Sequence, residues 1–292
     1  MGKPDAAGKI GWVGLGKMGL PICKRLQAAG YKIKVYCRSK EKAQIAASNG
    51  FEPTFTLADT SSGCKFVGSA VSDDNALLEI VTGRDGLRQA LTAAQIFIEI
   101  STVSPGASGR VAQALAPIGC AYLRSPVSGS TATATQGALT ALVSGPGDAF
   151  GAASDLFAAF TKKAFLVGGT EEARTLKLSI NAMVGATSAL LAESLSLARS
   201  GGLDVETVMN VVAESAVASP LIQYKRGVVT SGDFTAAFSV AQMLKDFDLI
   251  VDAADDAACK MPLIKSIREQ YRSALARGLG DQDFFVLTAK SG

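Results

Sequence analysis

The chain has 292 residues, of which 48% are hydrophobic and 19% charged, the composition of a globular protein with a substantial core. Its formal net charge is +3, and the basic residues are scattered rather than gathered into runs, which argues against a nucleic-acid partner. Histidine is absent, which excludes the commonest general base, the commonest zinc ligand and every Ser-His or Cys-His nucleophile. Any acid–base chemistry must therefore use Lys, Asp, Glu, Tyr or Cys.

The five cysteines are far apart and match no zinc spacing, which predicts reduced thiols and no metal site. The N-terminal MGKPDAAGK is not followed by an apolar region, and no stretch of about 18 uninterrupted apolar residues occurs. We therefore expect a cytoplasmic protein with no signal peptide and no membrane partner.

From residue 9 to about 169, β-rich runs alternate with helical patterns. Strands are predicted at KIGWVGLG, KIKVYCR, KFVGSAV, QIFIEIST, CAYLRSPV, LTALVSG and KKAFLVGG. This alternation predicts an α/β domain over residues 1–169, with a mostly parallel, doubly wound sheet of Rossmann type and helices on both faces.

The β-rich runs stop after Gly169, and residues 170–292 are predicted to form an all-helical domain for substrate binding and dimerisation. A long interdomain helix over about 172–200 opens it and ends at Gly201-Gly202. Further helices are expected after an N-cap at Asp204, around SVAQMLKDFDLIVDAADDA and from about Pro262. Because long apolar helices often bury their surplus surface against a second copy, we expect a homodimer or homotetramer.

A glycine pattern, G-x-G-x-x-G, directly follows the first predicted strand. Gly14 permits the tight turn, Gly16 lets backbone amides approach a pyrophosphate, and Gly19 lets the helix pack on the strand. A tight strand-to-helix turn is the alternative, but the flanking strands and helix favour dinucleotide binding. The expected cofactor loop comprises Gly14, Leu15, Gly16, Lys17, Met18 and Gly19.

The second predicted strand ends at Cys37 and Arg38, where NAD-selective sites usually carry an acid for the ribose 2′-hydroxyl. No acid is present until Glu41. Arg38, with Ser39, can instead hold a 2′-phosphate, so NADP(H) is preferred and NAD(H) is the alternative cofactor. A solvated basic loop is the other interpretation.

Lys177 is the only formal charge between Arg174 and Glu193 on the long helix, and Asn181 lies one turn further on. A lysine beside a nicotinamide can donate a proton to a carbonyl oxygen and take it back in the reverse direction. From the helix alone, a structural lysine that extends its amine to solvent remains the alternative.

Four motifs occur in order along nearly the whole chain: GLGKMGLPI, SPVSGSTATATQGALT, KLSIN and MLKDFDL. In these motifs the chain resembles the β-hydroxyacid dehydrogenase family, which includes 3-hydroxyisobutyrate dehydrogenase, and looks closest to its glyoxylate/succinic semialdehyde reductase branch. The resemblance implies NADPH-dependent interconversion of a small carboxylated aldehyde and its hydroxy acid. It implies that Lys177 is the catalytic general acid or base and Asn181 its helper.

The same resemblance implies further contacts with both ligands. Its expected cofactor contacts are Val71, Ser72, Thr102 and Lys245. Its expected substrate contacts are Ser128, Gly129, Ser130, Phe238 and Asp246.

Three departures from the family pattern put the substrate in doubt. Arg124 stands ahead of SPVSG where the family has an acid. We expect it to point outward, although an inward arginine could recruit a second anionic group of the substrate. Glu171 and Ala173 replace a G-x-G pair before the catalytic helix, and Ile180 replaces an asparagine that many members have.

Two other functions remain open at this point. Imine reductases resemble the first domain but generally carry Asp or Tyr in place of the catalytic lysine, so Lys177 argues against them. A non-catalytic nucleotide-binding scaffold is the second alternative, and the presence of both Lys177 and Asn181 argues against it.

Overall fold

A computed structural model describes residues 8–289 of the chain. The expectation that MGKPDAAGK is not a targeting segment falls mostly on residues 1–7, which lie outside the described residues. The chain divides into two compact units, one up to Lys177 and the other from Leu178 onward. The boundary falls within one long helix, so that helix belongs to both units.

The first unit alternates strands and helices as the sequence predicts. Its strands are β1 (Lys9–Val13), β2 (Lys32–Tyr36), β3 (Glu52–Thr54), β4 (Cys64–Ser69), β5 (Ile96–Glu99), β6 (Ala121–Arg124), β7 (Val127–Ser128), β8 (Leu139–Ser144) and β9 (Thr161–Gly168). Its helices are α1 (Gly19–Ala28), α2 (Lys40–Ser48), α3 (Leu57–Ser61), α4 (Asp74–Thr82), α5 (Pro105–Leu115), α6 (Thr131–Thr135), α7 (Gly147–Ala152) and α8 (Ser154–Phe160).

The strands form one sheet in the order β3-β2-β1-β4-β5-β6-β8-β7, with β9 paired to β8. The pairs from β3 through β6 are all parallel, and β8 runs antiparallel to β6 and β7. The order 3-2-1-4-5-6 of the first six strands is the Rossmann arrangement. The α/β prediction, with a doubly wound and mostly parallel sheet, is confirmed.

Both faces of this sheet are apolar because helices cover both. On β1, Ile10 and Trp12 belong to the core on one face, whereas Val13 belongs to the core on the other. The first core includes Leu26 of α1 and the second includes Val81 of α4, and both side chains are fully buried. The sheet therefore holds its strand ends in a fixed register.

A helix of 29 residues, α9 (Glu172–Ser200), follows the sheet as predicted. The helix is long enough to cross a membrane, and its most apolar stretch of 18 residues has a mean hydropathy of 1.2. Half of that stretch, however, is buried within the protein. That burial is typical of a core helix. Gly202, at a φ of +86°, lies just beyond its end, where a left-handed residue commonly terminates a helix.

The second unit is helical. After α9 it contains α10 (Val205–Glu214), α11 (Pro220–Ser231), α12 (Val240–Asp256) and α13 (Pro262–Ala276), and a 3₁₀ turn at Phe284–Thr288. Asp204 caps α10 as expected, accepting from the backbone N–H of Thr207 at 2.8 Å, and Ser239 caps α12 reciprocally with Gln242. One core joins apolar residues of all five helices.

Several elements, most of them short, were not predicted from the sequence. The single run CAYLRSPV is two strands, because Pro126 separates β6 from β7. The helix expected from Asp148 is two helices, α7 and α8, and the elements β3, α3, α6 and α11 were not expected. Each of the missed strands and the two missed helices of the first unit has five residues or fewer, too short for a periodic pattern.

Candidate active site

The carboxyl ends of the parallel strands lie side by side. In the register, Val13 pairs with both Tyr36 and Ser69, Ser69 with Glu99, and Glu99 with Arg124. The segments that follow these five strands therefore begin at one edge of the sheet. Most of the predicted site residues of the first unit lie in those segments, where ligands bind in open α/β sheets.

The glycine loop joins β1 to α1 by a tight turn. Gly14 has a φ of +97°, and a Cβ there would lie 2.1 Å from the carbonyl oxygen of Ala70. A Cβ on Gly19 would lie 2.0 Å from the oxygen of Gly14, so the helix packs directly on the turn. The indole Nε1 of Trp12 donates to that same oxygen at 2.9 Å. The turn itself requires glycine at both positions.

Gly16 differs, because a Cβ there would meet no atom within 4 Å. No contact within the protein therefore requires glycine at this position, whereas the close approach of a ligand would require it. Helix α1 begins without a side-chain cap and without an acidic residue in its first turn. Its amides and dipole fit an anion such as a pyrophosphate.

Arg38 and Ser39 follow β2 at the same edge of the sheet. Arg38 is exposed, and Ser39 caps α2 by accepting from the backbone N–H of Lys42 at 3.3 Å. The Ser39 hydroxyl also donates to a carboxylate oxygen of Glu41 at 2.7 Å. An exposed guanidinium beside a helix N-terminus can bind a phosphate monoester.

The loops after β4 and β5 are tied together. The backbone N–H of Val71 donates to the hydroxyl of Ser101 at 2.7 Å, and Thr102 is the next residue. Ser72 is exposed and donates to Asp73, which caps α4. The predicted cofactor contacts Val71, Ser72 and Thr102 therefore lie on two neighbouring loops that are hydrogen-bonded to each other.

The predicted substrate loop follows β6. Ser128 ends β7, and Ser130 forms a capping box with Thr133 at the start of α6. Gly129 between them has a φ of +139°, and a Cβ there would lie 2.4 Å from the hydroxyl of Thr133. The loop presents two hydroxyls and a glycine amide from a constrained turn, which are suitable donors to a carboxylate.

On α9, Lys177 and Asn181 are 9% and 6% exposed. Within the second unit, the Asn181 amide donates to the carboxylate of Asp246 on α12 at 2.6 Å. Asp246 is itself 1% exposed, and its other oxygen lies 2.9 Å from the amine of Lys245. The structure thus joins three of the predicted residues in one chain of contacts.

Phe238 lies just before α12 and is half-buried. Its ring packs edge-on against Phe284, with centroids 6.1 Å apart. Because the backbone N–H of Phe284 also donates to the oxygen of Phe238 at 3.1 Å, the position of this aromatic ring is fixed within the second unit.

The expectation that Arg124 points outward is wrong. Its side chain is 8% exposed, and both Nε and Nη2 donate to Oε1 of Glu171, at 2.9 and 2.7 Å. Its guanidinium carbon also lies 4.4 Å from the centroid of the Tyr122 ring. Two of the departures from the family pattern are therefore partners, and a buried arginine needs such a carboxylate.

A second buried pair, Arg174 with Glu99, was not identified from the sequence. The two side chains are 1% and 0% exposed, and Nη2 of Arg174 donates to Oε2 of Glu99. Burial, the largest single effect, would lower the pKa of Arg174, but the carboxylate of Glu99 and the hydroxyl of Tyr122 together outweigh it and hold the pKa above its ordinary value. The only signals available in the sequence were two unlike charges in apolar segments, 75 positions apart.

Comparison with known proteins agrees with this arrangement. Residues 9–169 match the family model of the NAD-binding domain of 6-phosphogluconate dehydrogenase. Residues 172–289 match that of the NAD-binding region of NADP-dependent 3-hydroxyisobutyrate dehydrogenase.

Among curated relatives, the uncharacterized oxidoreductase YfjR of Bacillus subtilis is 30% identical over 96% of this chain and 98% of its own. Glyoxylate/succinic semialdehyde reductase 1 of Arabidopsis thaliana is 27% identical over 94% and 96%. Human cytokine-like nuclear factor N-PAC is 28% identical over 94% of this chain, which spans about half the length of that protein.

Solved structures are similar over the whole chain. 3-Hydroxyisobutyrate dehydrogenase of Mycobacterium tuberculosis, solved with L-serine, has a TM-score of 0.87 at 23% identity and covers 97% of this chain and 98% of its own. Psf3 in complex with NADP⁺ and 2-OPP has a TM-score of 0.86 at 25% identity, covering 96% and 99%.

The fold, the glycine loop and these matches define an NAD(P)-dependent oxidoreductase. Within that class, the chain belongs to the β-hydroxyacid dehydrogenase family, of the 3-hydroxyisobutyrate dehydrogenase type.

Proposed function

We propose that the protein is an NADPH-dependent reductase of a small carboxylated aldehyde, which it converts to the hydroxy acid, with Lys177 as the general acid. The observation that carries the proposal is a buried lysine, one turn before Asn181, on a helix whose first turn is bonded to the carboxyl edge of the sheet. In a chain without histidine, that amine is the best-placed proton donor.

The bound nicotinamide supplies the hydride. Gly14, Gly16 and Gly19 hold the pyrophosphate at the start of α1, and Arg38 with Ser39 holds the 2′-phosphate, which favours NADP(H) over NAD(H). The remaining contacts of the chain with the cofactor are those of Leu15, Lys17, Met18, Val71, Ser72, Thr102 and Lys245.

The substrate carboxylate binds to Ser128, Gly129 and Ser130, whose hydroxyls and backbone amide are donors on a constrained turn. Phe238 contributes an apolar wall to substrate binding, and Asp246 supports the pocket without contacting the substrate carboxylate. The two hydroxyls and the backbone amide of this turn support a small substrate with a single carboxylate.

Lys177 donates its proton to the carbonyl oxygen of the aldehyde during reduction and takes it back from the alcohol during oxidation. Asn181 assists by orienting the reacting oxygen, and the bond from its amide to Asp246 supports a single orientation of that side chain. The same bond gives Asp246 a role through Asn181 as well as at the substrate.

The test is a panel of glyoxylate, succinic semialdehyde, tartronate semialdehyde and methylmalonate semialdehyde, each with NADPH and with NADH. We expect turnover of at least one aldehyde, faster with NADPH. Lys177→Ala should lower kcat at least about 100-fold, the scale of a proton-transfer residue, with little change in NADPH affinity. The matched control is Lys162→Ala, which removes an exposed lysine from β9 and should leave kcat unchanged.

Millimolar methylammonium should restore part of the rate that Lys177→Ala loses, because a small amine can supply the missing proton donor. Full activity of Lys177→Ala would overturn the assignment of the general acid. Tight NADPH binding with no turnover of any aldehyde would favour a nucleotide-binding scaffold instead.

A further inference from the structure

Arg174 lies on the first turn of α9, and all three nitrogens of its guanidinium donate hydrogen bonds. Nη1 donates to the backbone oxygen of Ser101 at 2.7 Å, and Nη2 donates to Glu99 and to the hydroxyl of Tyr122 at 3.1 Å. Nε donates to the hydroxyl of Ser108 at 3.3 Å. The side chain thus joins the helix to β5, β6 and α5 at once, all within the first unit.

Its partners also fix the loops beside the proposed cofactor site. The Glu99 carboxylate accepts from the backbone N–H of Ser101 at 2.7 Å, through the oxygen that Arg174 does not contact. The hydroxyl of Ser101 in turn accepts from the backbone N–H of Val71 at 2.7 Å. One connected set of hydrogen bonds therefore runs from the loop after β4, through the loop after β5, to the start of α9.

Lys177 lies three residues after Arg174 on this helix. Three residues correspond to a rise of about 4.5 Å and to neighbouring positions on one face. Because Arg174 is fixed at four points, the backbone from which Lys177 extends has little freedom to rotate or shift against the loops of Val71 and Thr102.

Stability alone is a poor reason for such a network. Replacing a buried ion pair by well-packed apolar side chains is often neutral or stabilising. A planar guanidinium with several fixed acceptors does, however, specify one orientation, which apolar packing does less well. Proton and hydride transfer both require reacting atoms to be placed within a fraction of an ångström.

We propose that Arg174, held by Glu99, is a positioning residue that sets the proton donor Lys177 in register with the cofactor loops. The proposal rests on the proposed function, since it assigns Arg174 an effect that is exerted through Lys177. It predicts that loss of the guanidinium slows the chemical step more than it weakens binding.

The first experiment compares Arg174→Met, Arg174→Lys and Glu99→Gln with the wild-type enzyme on its best aldehyde. We expect Arg174→Met to lower kcat at least about tenfold, with KM and the NADPH dissociation constant within about threefold, because the lost interaction acts on the transition state. The deuterium isotope effect with NADPD should rise as hydride transfer becomes more limiting. Arg174→Lys keeps the positive charge but not the planar guanidinium, so its kcat should lie between those of the wild type and Arg174→Met.

Leu115→Ala is the matched control for a merely structural defect. Leu115 is 1% exposed at the far end of α5, so its loss should lower the melting temperature without changing the isotope effect. If Leu115→Ala, at an equal loss of melting temperature, lowers kcat and raises the isotope effect as Arg174→Met does, the positioning role is refuted. If Arg174→Met does not fold, the kcat, isotope effect and melting temperature of Arg174→Lys and Glu99→Gln are compared with those of Leu115→Ala instead.

A double-mutant cycle supplies the decisive test. If Arg174 acts through Lys177, adding Arg174→Met to Lys177→Ala should lower the residual kcat by less than about threefold, although the same change costs about tenfold or more in the wild type. Multiplicative losses would overturn the inference. An active Lys177→Ala would refute the proposed general acid, whereas an inactive Lys177→Ala beside a fully active Arg174→Met would refute the positioning role only.

Discussion

At the scale of single residues, Arg38 carries the proposed choice of cofactor. It is exposed directly after β2, at the edge of the sheet where the glycine loop also begins. Lys32 is an exposed base at the opposite end of the same strand. The two residues allow the same charge reversal to be made near the proposed 2′-phosphate and far from it.

Arg38→Glu should lower kcat/KM with NADPH by about 10- to 100-fold and leave or improve that with NADH. A charge-assisted hydrogen bond is worth about 1.5–3 kcal/mol, and an acid can accept from the ribose 2′-hydroxyl instead. Lys32→Glu should change neither value. Steady-state rates with both cofactors measure the effect, and an unchanged NADPH preference in Arg38→Glu would contradict it.

The residue scale is also where the sequence was least informative. The tight turn of the glycine loop and the cap at Asp204 could be predicted because each pattern lies within a few consecutive positions. The pairs Arg124–Glu171 and Arg174–Glu99 could not, since they join residues 47 and 75 positions apart and depend on the order of the strands. Charge patterns along a chain do not specify such contacts.

At the scale of elements, side chains of α12 pack directly against the backbone of α9 at Gly185. A Cβ on Gly185 of α9 would lie 2.2 Å from the ring of Phe247 and 2.9 Å from the sulfur of Met243, both on α12. Gly227, in the exposed face of α11, would meet nothing within 4 Å. The two helical glycines therefore respond to the same substitution in opposite ways.

Gly185→Ala should destabilise the protein by about 1–3 kcal/mol, the usual cost of overpacking, despite the better helix propensity of alanine. Gly227→Ala should stabilise it by about 0.5–1 kcal/mol, because only the propensity changes. Denaturant unfolding monitored by circular dichroism measures both. A stabilising Gly185→Ala would show that the two helices are not packed as described.

Most of the long elements were predicted well, and α11, with 12 residues, is the exception. Hydrophobic periodicity, caps and glycine or proline stops predicted the seven strands and the helices α1, α2, α4, α5, α9, α10, α12 and α13. Short elements such as α3 and α6 have no full hydrophobic period. The antiparallel direction of β8 depends on its pairing with β6 and β7, which the pattern within a strand does not specify.

At the scale of the whole molecule, most thiols are buried. Cys23, Cys37, Cys64 and Cys120 are buried, whereas Cys259 is exposed. Burial raises the pKa of Cys23 well above its ordinary value of 9.0 and raises that of Cys120 to about 11. The folded protein therefore keeps these protons at a pH where the unfolded chain has released them.

The stability of the protein should consequently fall as the pH rises above about 9. Below the unfolded pKa the thiols are protonated in both states and their contribution is complete, and it is lost as the pH approaches the folded pKa. Melting temperatures between pH 8 and 11 test this. Cys120→Ala should show a shallower decline, Cys259→Ala should follow the wild type, and a decline unaffected by Cys120→Ala would contradict the assignment.

The oligomeric state is a second property of the whole molecule. Met183, Leu190 and Leu197 of α9 lie seven residues apart and are 72%, 54% and 75% exposed, so they form one apolar stripe along the helix. Such a stripe supports the expected homodimer or homotetramer, because a second copy presents the same surface.

Light scattering should give a dimer or tetramer for the wild type and a smaller species for Leu190→Lys with Leu197→Lys. Two charges within the stripe would have to be desolvated on assembly. Val217→Lys, a change at a side chain that is 69% exposed outside the stripe, should leave the mass unchanged. A monomeric wild type would contradict the expectation.

The contact between Arg124 and Glu171 has a consequence for the history of the chain. If an ancestor had an acid at position 124, acquiring Glu171 first would have placed two carboxylates together. Acquiring Arg124 first would have buried a cation without a carboxylate partner. The two substitutions should therefore be inherited together. Homologues with an acid at the position of Arg124 should carry no acid at the position of Glu171, and an aligned set of relatives should show the two positions changing together.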